Sequence, residues 1–141
     1  MMILWKEKLA FIAVPKTGTT AIEAALAPFA SVTFERPPHV KHMTLQRFNR
    51  FIRPHLEKTG LEDVETIAVM REPVDWLGSW YRYRRRDALN GSAKSTAGIS
   101  FETFVEAYLK DGQRPPFAEI GSQAKQMSSR KGEIGIDHIF R

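Results

Sequence analysis

Pro15-Lys-Thr-Gly-Thr-Thr20 is the stretch of this chain whose residue types and spacing speak most directly of chemistry. It follows the compact apolar run Leu9-Ala-Phe-Ile-Ala-Val14. It precedes a segment in which Ile22, Ala25, Leu26 and Phe29 recur at i, i+3, i+4 and i+7. That is a buried strand, a loop and a helix in succession. A helix N-terminus reached in this way offers unpaired N–H groups and the positive end of the helix dipole, so it attracts anions. Gly18 lets the backbone approach a ligand closely. Thr17, Thr19 and Thr20 add hydroxyl donors, and Lys16 adds a mobile positive charge. Together they make a phosphate cradle. It is not the G-x-x-x-x-G-K-[ST] loop of nucleotide triphosphatases, because Lys16 precedes Gly18 and no glycine opens the loop.

A second segment, Val69-Met-Arg-Glu-Pro-Val-Asp-Trp-Leu-Gly-Ser-Trp-Tyr81, follows another apolar strand, Thr66 to Met70. Arg71 stands at the carboxyl end of that strand, where ligands of open α/β sheets bind. Ser79 lies two turns into the helix that Pro73 opens. A guanidinium fork and a hydroxyl can hold one phosphate from two sides. The strand ends in Met70-Arg71 rather than in an acidic residue that could help hold Mg²⁺, which argues against a nucleotide kinase.

These two segments, in this order, resemble the sulfotransferases that use 3′-phosphoadenosine 5′-phosphosulfate, and most closely their carbohydrate-type and bacterial branch. The P-K-[TS]-G-[TS]-[TS] loop of that family matches Pro15 to Thr20. Its R-x-P-x-x-x-x-x-S segment with a following aromatic matches Arg71 to Ser79 with Trp80. The likeness covers residues 9–26 and 66–86, and more loosely Lys41-His42 and the 132–141 end. It implies that Lys16 stabilises the leaving phosphate and that residues 17–20 bind the 5′-phosphate. It implies further that Arg71 and Ser79 bind the 3′-phosphate, and that no metal is required. The family places a general base between the two segments, where His39 and His42 both lie. A neutral imidazole suits that task near pH 7, its reference pKa being ~6.5. His42, in the Lys-His-Met-Thr string just before a helix, is the preferred candidate. The acceptor would be a small molecule or carbohydrate hydroxyl.

The elements that must position these residues alternate strand and helix. Ser31–Glu35 reads as a short second strand. Arg36–His42, with its paired prolines, reads as irregular. A helix begins at Thr44, with Leu45, Phe48 and Ile52 on one face and with Pro54 and Gly60 bracketing its end. Val74, Leu77 and Tyr81 line the helix after Pro73. Residues 87–100, small and polar, read as a mobile loop. Ser100 caps a helix whose stripe is Phe101, Phe104, Val105, Tyr108 and Leu109, stopped at Gly112. The expected architecture is α/β: a P-loop-like three-layer fold with a mainly parallel sheet flanked by helices. Trp76, Trp80 and Tyr81 offer stacking surfaces for adenine, although apolar helix residues more often pack inward.

At 141 residues the chain suits a single domain. Its end, Glu133 to Arg141, alternates like a strand and then stops, as in a chain truncated at its C-terminus. The composition excludes disulfide frameworks, thiolate metal sites and cysteine nucleophiles, since there is no Cys. A reducing, cytoplasmic setting is expected, with no signal peptide and no run approaching the ~20 apolar residues of a membrane span. The net charge is +5, and residues 36–58 alone carry six Lys/Arg against one acidic residue. An anionic cofactor accounts for that excess. A basic nucleic-acid-binding module, using Arg36 to Arg53 and Arg82 to Arg86, is the competing reading, but the charge clusters beside the two phosphate segments.

Overall fold

The computed structural model describes residues 1–141 and divides into two compact units, Met1–Met70 with Ser122–Arg141, and Arg71–Gly121. In chain order the strands are β1 (Met2–Leu4), β2 (Leu9–Phe11), β3 (Val32–Thr33), β4 (Glu65–Val69) and β5 (His138–Phe140). The α-helices are α1 (Thr19–Leu26), α2 (Pro38–Lys41), α3 (Leu45–Arg47), α4 (Arg53–Lys58), α5 (Pro73–Arg84), α6 (Phe101–Leu109) and α7 (Gln123–Met127). No helix is long and apolar enough to cross a membrane.

The first unit is α/β, built on a five-stranded sheet in the order β3-β1-β2-β4-β5. The sheet is mixed rather than mainly parallel. β2, β4 and β5 run parallel, while β1 pairs antiparallel with both β2 and β3. The departure comes from Met1 to Leu4, a fully buried apolar stretch that folds back on β2 as a hairpin. Its turn holds neither Gly nor Asn; Lys8 adopts φ 53 instead, its N–H bonded to Trp5 O at 3.2 Å.

Strand alternation sends successive residues to opposite faces. Met1, Ile3, Ala10, Ile12 and Val14 pack with Leu45, Phe48, Leu56 and Met127. Met2, Leu4, Phe11 and Ala13 pack with Ile22 and Leu26 of α1. The parallel register sets Phe11 beside Ile67, and Ile12 N–H reaches Ile67 O at 2.8 Å. β5 closes the sheet on β4. There Asp137 Oδ2 accepts from Thr66 N at 2.6 Å and from Thr66 Oγ1 at 2.7 Å.

Two sequence expectations change here. Arg36–His42 is not wholly irregular, because Pro38 sits in the first turn of α2, the one helical position that tolerates a missing N–H. Pro54 does not help end the 44–60 helix either. The chain runs helically from α3 through a π-turn, Phe48–Ile52, into α4, with Pro54 in α4's first turn. The wider π-turn precedes the proline, whose ring would clash with an ordinary preceding turn.

The second unit holds α5 and α6. Trp76, Leu77, Phe104, Ala118 and Ile120 form its core, with Tyr81, Phe101 and Tyr108 packed against them. Residues 87–100 are tied to α5 at Thr96. Thr96, fully buried, donates from Oγ1 to Tyr81 O at 2.8 Å and from N–H to Arg84 O at 3.1 Å. Those carbonyls belong to the last turn of α5; Tyr81 O also accepts from the C-cap N–H of Arg85 at 3.1 Å.

Candidate functional site

The loop after β2 is shaped by its own backbone. Lys16 lies at φ 68, a left-handed conformation that costs a non-glycine residue roughly 1 kcal/mol or more. Thr17 turns inward, donating from Oγ1 to Val14 O at 2.9 Å, so its hydroxyl staples the loop rather than facing outward. Gly18 follows at φ 80 and caps α1 without any side-chain hydrogen bond. Space above Gly18 is open: an added Cβ would meet nothing within 4 Å, so the torsion rather than crowding demands glycine. The helical ladder opens at Gly18 O, which accepts from Ala21 at 3.0 Å and Ile22 at 3.3 Å. The N–H groups of Thr19 and Thr20 therefore precede the first rung, as in a helix-terminal anion site. Thr19's side chain is buried and Thr20's is exposed, which makes Thr20 the loop's outward hydroxyl.

His42 reaches the same strand end from another direction. It caps α2, and its Nδ1 lies 2.8 Å from Ala13 O. A carbonyl only accepts, so Nδ1 carries the proton and Nε2 keeps a lone pair. Burial holds the imidazole below its usual pKa, with the Lys41 charge adding to the effect and the Ala13 bond opposing it. His42 is thus a neutral imidazole, held to the carbonyl two residues before Pro15.

The segment carrying it is fastened on both sides. Gln126 Nε2 donates to His42 O at 2.7 Å and to Met43 O at 3.0 Å. Lys41 Nζ pairs with Glu23 Oε2 of α1 at 2.7 Å, and the Met1 amino group lies 3.1 Å from Glu23 Oε1. Burial alone would raise the Glu23 pKa, but bonds from Lys41 and the amino group hold it low. His39, by contrast, is exposed and borders a groove on the outer side of α2.

In the second unit, Arg71 is half-buried and stands just before Glu72, the N-cap of α5, whose carboxylate accepts from Val74 N at 2.8 Å. Ser79 is half-buried in the second turn. The sequence shows Arg82 only as the start of the basic run to Arg86. Its Nη1 would come 3.2 Å from a Cβ at Gly78, so the guanidinium lies back along α5 over the glycine that precedes Ser79. The i, i+4 pairing of Gly with Arg was the available signal. Arg84 is not solvated at all: it is buried and donates to the carbonyls of Pro116 and, at 2.8 Å, Glu119.

The aromatic residues pack inward. Trp76 meets Trp80 and Tyr108 edge-on, both at 6.2 Å between centroids, and the Tyr81 hydroxyl donates to Ile99 O at 2.7 Å. Lys16 to Thr20 and His42 thus lie in the first unit, and Arg71, Ser79 and Arg82 in the second. Compared with family models, curated proteins and solved structures, the chain finds no match.

Proposed function

We propose that this chain is a sulfotransferase, moving a sulfuryl group from 3′-phosphoadenosine 5′-phosphosulfate to an acceptor hydroxyl. The observation that carries the reading is the His42 imidazole, neutral and fixed by Ala13 at the mouth of the Pro15–Thr20 loop. On this reading the first unit's sheet, with helical packing against both faces, is the core of a P-loop-like three-layer fold. The donor, when bound, supplies an activated sulfuryl group on a phosphate leaving oxygen.

The residues divide the work by charge. The open approach to Gly18 and the leading N–H groups of Thr19 and Thr20 suit a 5′-phosphate. Lys16 neutralises the negative charge that grows on the leaving oxygen. His42 Nε2 takes the proton of the acceptor hydroxyl, and its Nδ1–H bond to Ala13 keeps the ring aimed while it becomes charged. Arg71 and Ser79 bind the 3′-phosphate that distinguishes this donor from ATP, and Arg82 lies over Gly78 on the same helix.

Calorimetric titration with 3′-phosphoadenosine 5′-phosphate, beside ATP with Mg²⁺, tests the assignment. Tighter binding of the first is expected, and preference for ATP·Mg²⁺ would mark a kinase instead.

A further inference from the structure

Glu23 binds two cations from two different elements at once. Its Oε2 lies 2.7 Å from Lys41 Nζ at the end of α2, and its Oε1 lies 3.1 Å from the Met1 amino group, which leads into β1. The same amino group donates to Lys41 O at 2.9 Å. Lys41 is therefore held twice, its ammonium by Glu23 and its carbonyl by the amine, and the next residue is His42. Glu23 in turn stands on α1, the helix that begins at the Pro15–Thr20 loop. Thr20, Glu23, Ala24 and Ala27, spaced i, i+3, i+4 and i+7, form one stripe that lines a cavity of about 380 Å³. Glu35, Arg36 and Lys41 help complete its wall. Both side chains of the pair are half-buried, so solvent screens it less than an ion pair on the open surface.

We propose that Glu23 is a positioning residue for His42: through Lys41 it fastens the imidazole's segment to the helix that carries the phosphate loop, so that base and loop keep one spacing. The part this plays in catalysis rests on the sulfotransferase reading; the fastening itself does not. The pair also bears on the imidazole by charge. Burial is the main force holding His42 below its usual pKa; the Lys41 ammonium and the Met1 amine push it the same way, and the Glu23 carboxylate pushes it back. Those are the charged groups that face the ring, while Glu35 and Arg36 share the cavity wall with the pair. Removing the Glu23 charge leaves two cations unopposed and favours the neutral ring further. Removing the Lys41 charge favours the imidazolium instead. The two halves of one ion pair thus move the imidazole in opposite directions.

The test is NMR titration of the full chain labelled at histidine, with the His42 signals identified by their loss in His42→Ala. Glu23→Gln and Lys41→Met keep side chains of similar length, and each breaks the pair. Both should release the His42 segment and speed exchange of the Nδ1–H with water about tenfold, and Lys41→Arg should restore its protection. The His42 titration midpoint should move down in Glu23→Gln and up in Lys41→Met. A pair that only stabilises the fold would lower the melting temperature of both variants without driving the midpoints apart. Midpoints that stay or move the same way, or wild-type exchange in both variants, would overturn the proposal. Sulfuryl transfer by the same proteins separates the two readings, its acid limb following the midpoint in each variant. If the wild type neither transfers sulfuryl nor binds 3′-phosphoadenosine 5′-phosphate while the midpoints diverge, the fastening pair stands and the sulfotransferase reading falls. If it transfers and the midpoints stay, the pair falls and the reading stands.

Discussion

His42 donates its Nδ1–H to the carbonyl of Ala13 at 2.8 Å, across 29 residues of sequence. The bond ties the segment after α2 to the strand that leads into the Pro15–Thr20 loop, and it decides which ring nitrogen can act as a base. Ala13 itself is fully buried on the α1 face of the sheet, so the acceptor carbonyl is as fixed as the core.

Replacing His42 with Ala should lower kcat by about 10²–10⁴-fold, the usual contribution of a general base. Sulfuryl transfer in a steady-state assay reads it, and an unchanged rate would remove His42 from the mechanism.

The same residue sets a pH dependence. Its folded pKa lies below 6.5, so activity should be constant near neutrality and fall as pH drops through that lowered value. The stability sign agrees: the unfolded chain takes up the proton first, so His42 stabilises above about 6.5 and that contribution is lost at lower pH. A pH–rate profile with its acid limb above 6.5 would contradict the assignment.

Thr96→Val should destabilise by about 1 kcal/mol, because it removes the bond from the buried Thr96 hydroxyl to Tyr81 O while preserving volume and leaving the Arg85 N–H on that carbonyl. Urea unfolding measures it. The loss belongs to the second unit, where Thr96 holds residues 87–100 on α5.

Asp137→Ala should cost about 1 kcal/mol, modest because the side chain is exposed, through loss of its two bonds from Thr66. Burial works to raise the Asp137 pKa, but the Thr66 bonds prevail and hold it below 3.8. Its contribution is therefore present above 3.8 and lost as pH falls through the lower folded value. Unfolding at pH 6 and pH 3 should show the gap between wild type and variant shrinking in acid.

Much of the frame was readable from local pattern. The strand–loop–helix around Gly18, the strand before Arg71 and the Ser100-capped helix each declare themselves within a dozen residues. What escaped depends on distant partners. β1 has three residues and no flanking turn signal, and becomes a strand only because β2 and β3 flank it. The 87–100 segment has a loop's composition, yet one threonine hydroxyl anchors it to a helix end. His42 could be singled out by its Lys-His-Met-Thr context, whereas its tautomer depended on a carbonyl 29 residues away. Arg84 reads as one of the basic run Arg82 to Arg86, because nothing local reveals that Pro116 and Glu119 receive it.

The central claim is that Arg71 and Ser79 recognise a 3′-phosphate. Comparing the affinities of 3′-phosphoadenosine 5′-phosphate and adenosine 5′-phosphate, in wild type and in Arg71→Ala, tests it most directly. The wild type should prefer the bisphosphate by about tenfold or more, and Arg71→Ala should abolish that preference while still binding the monophosphate. Equal affinity of the wild type for both nucleotides would contradict the account.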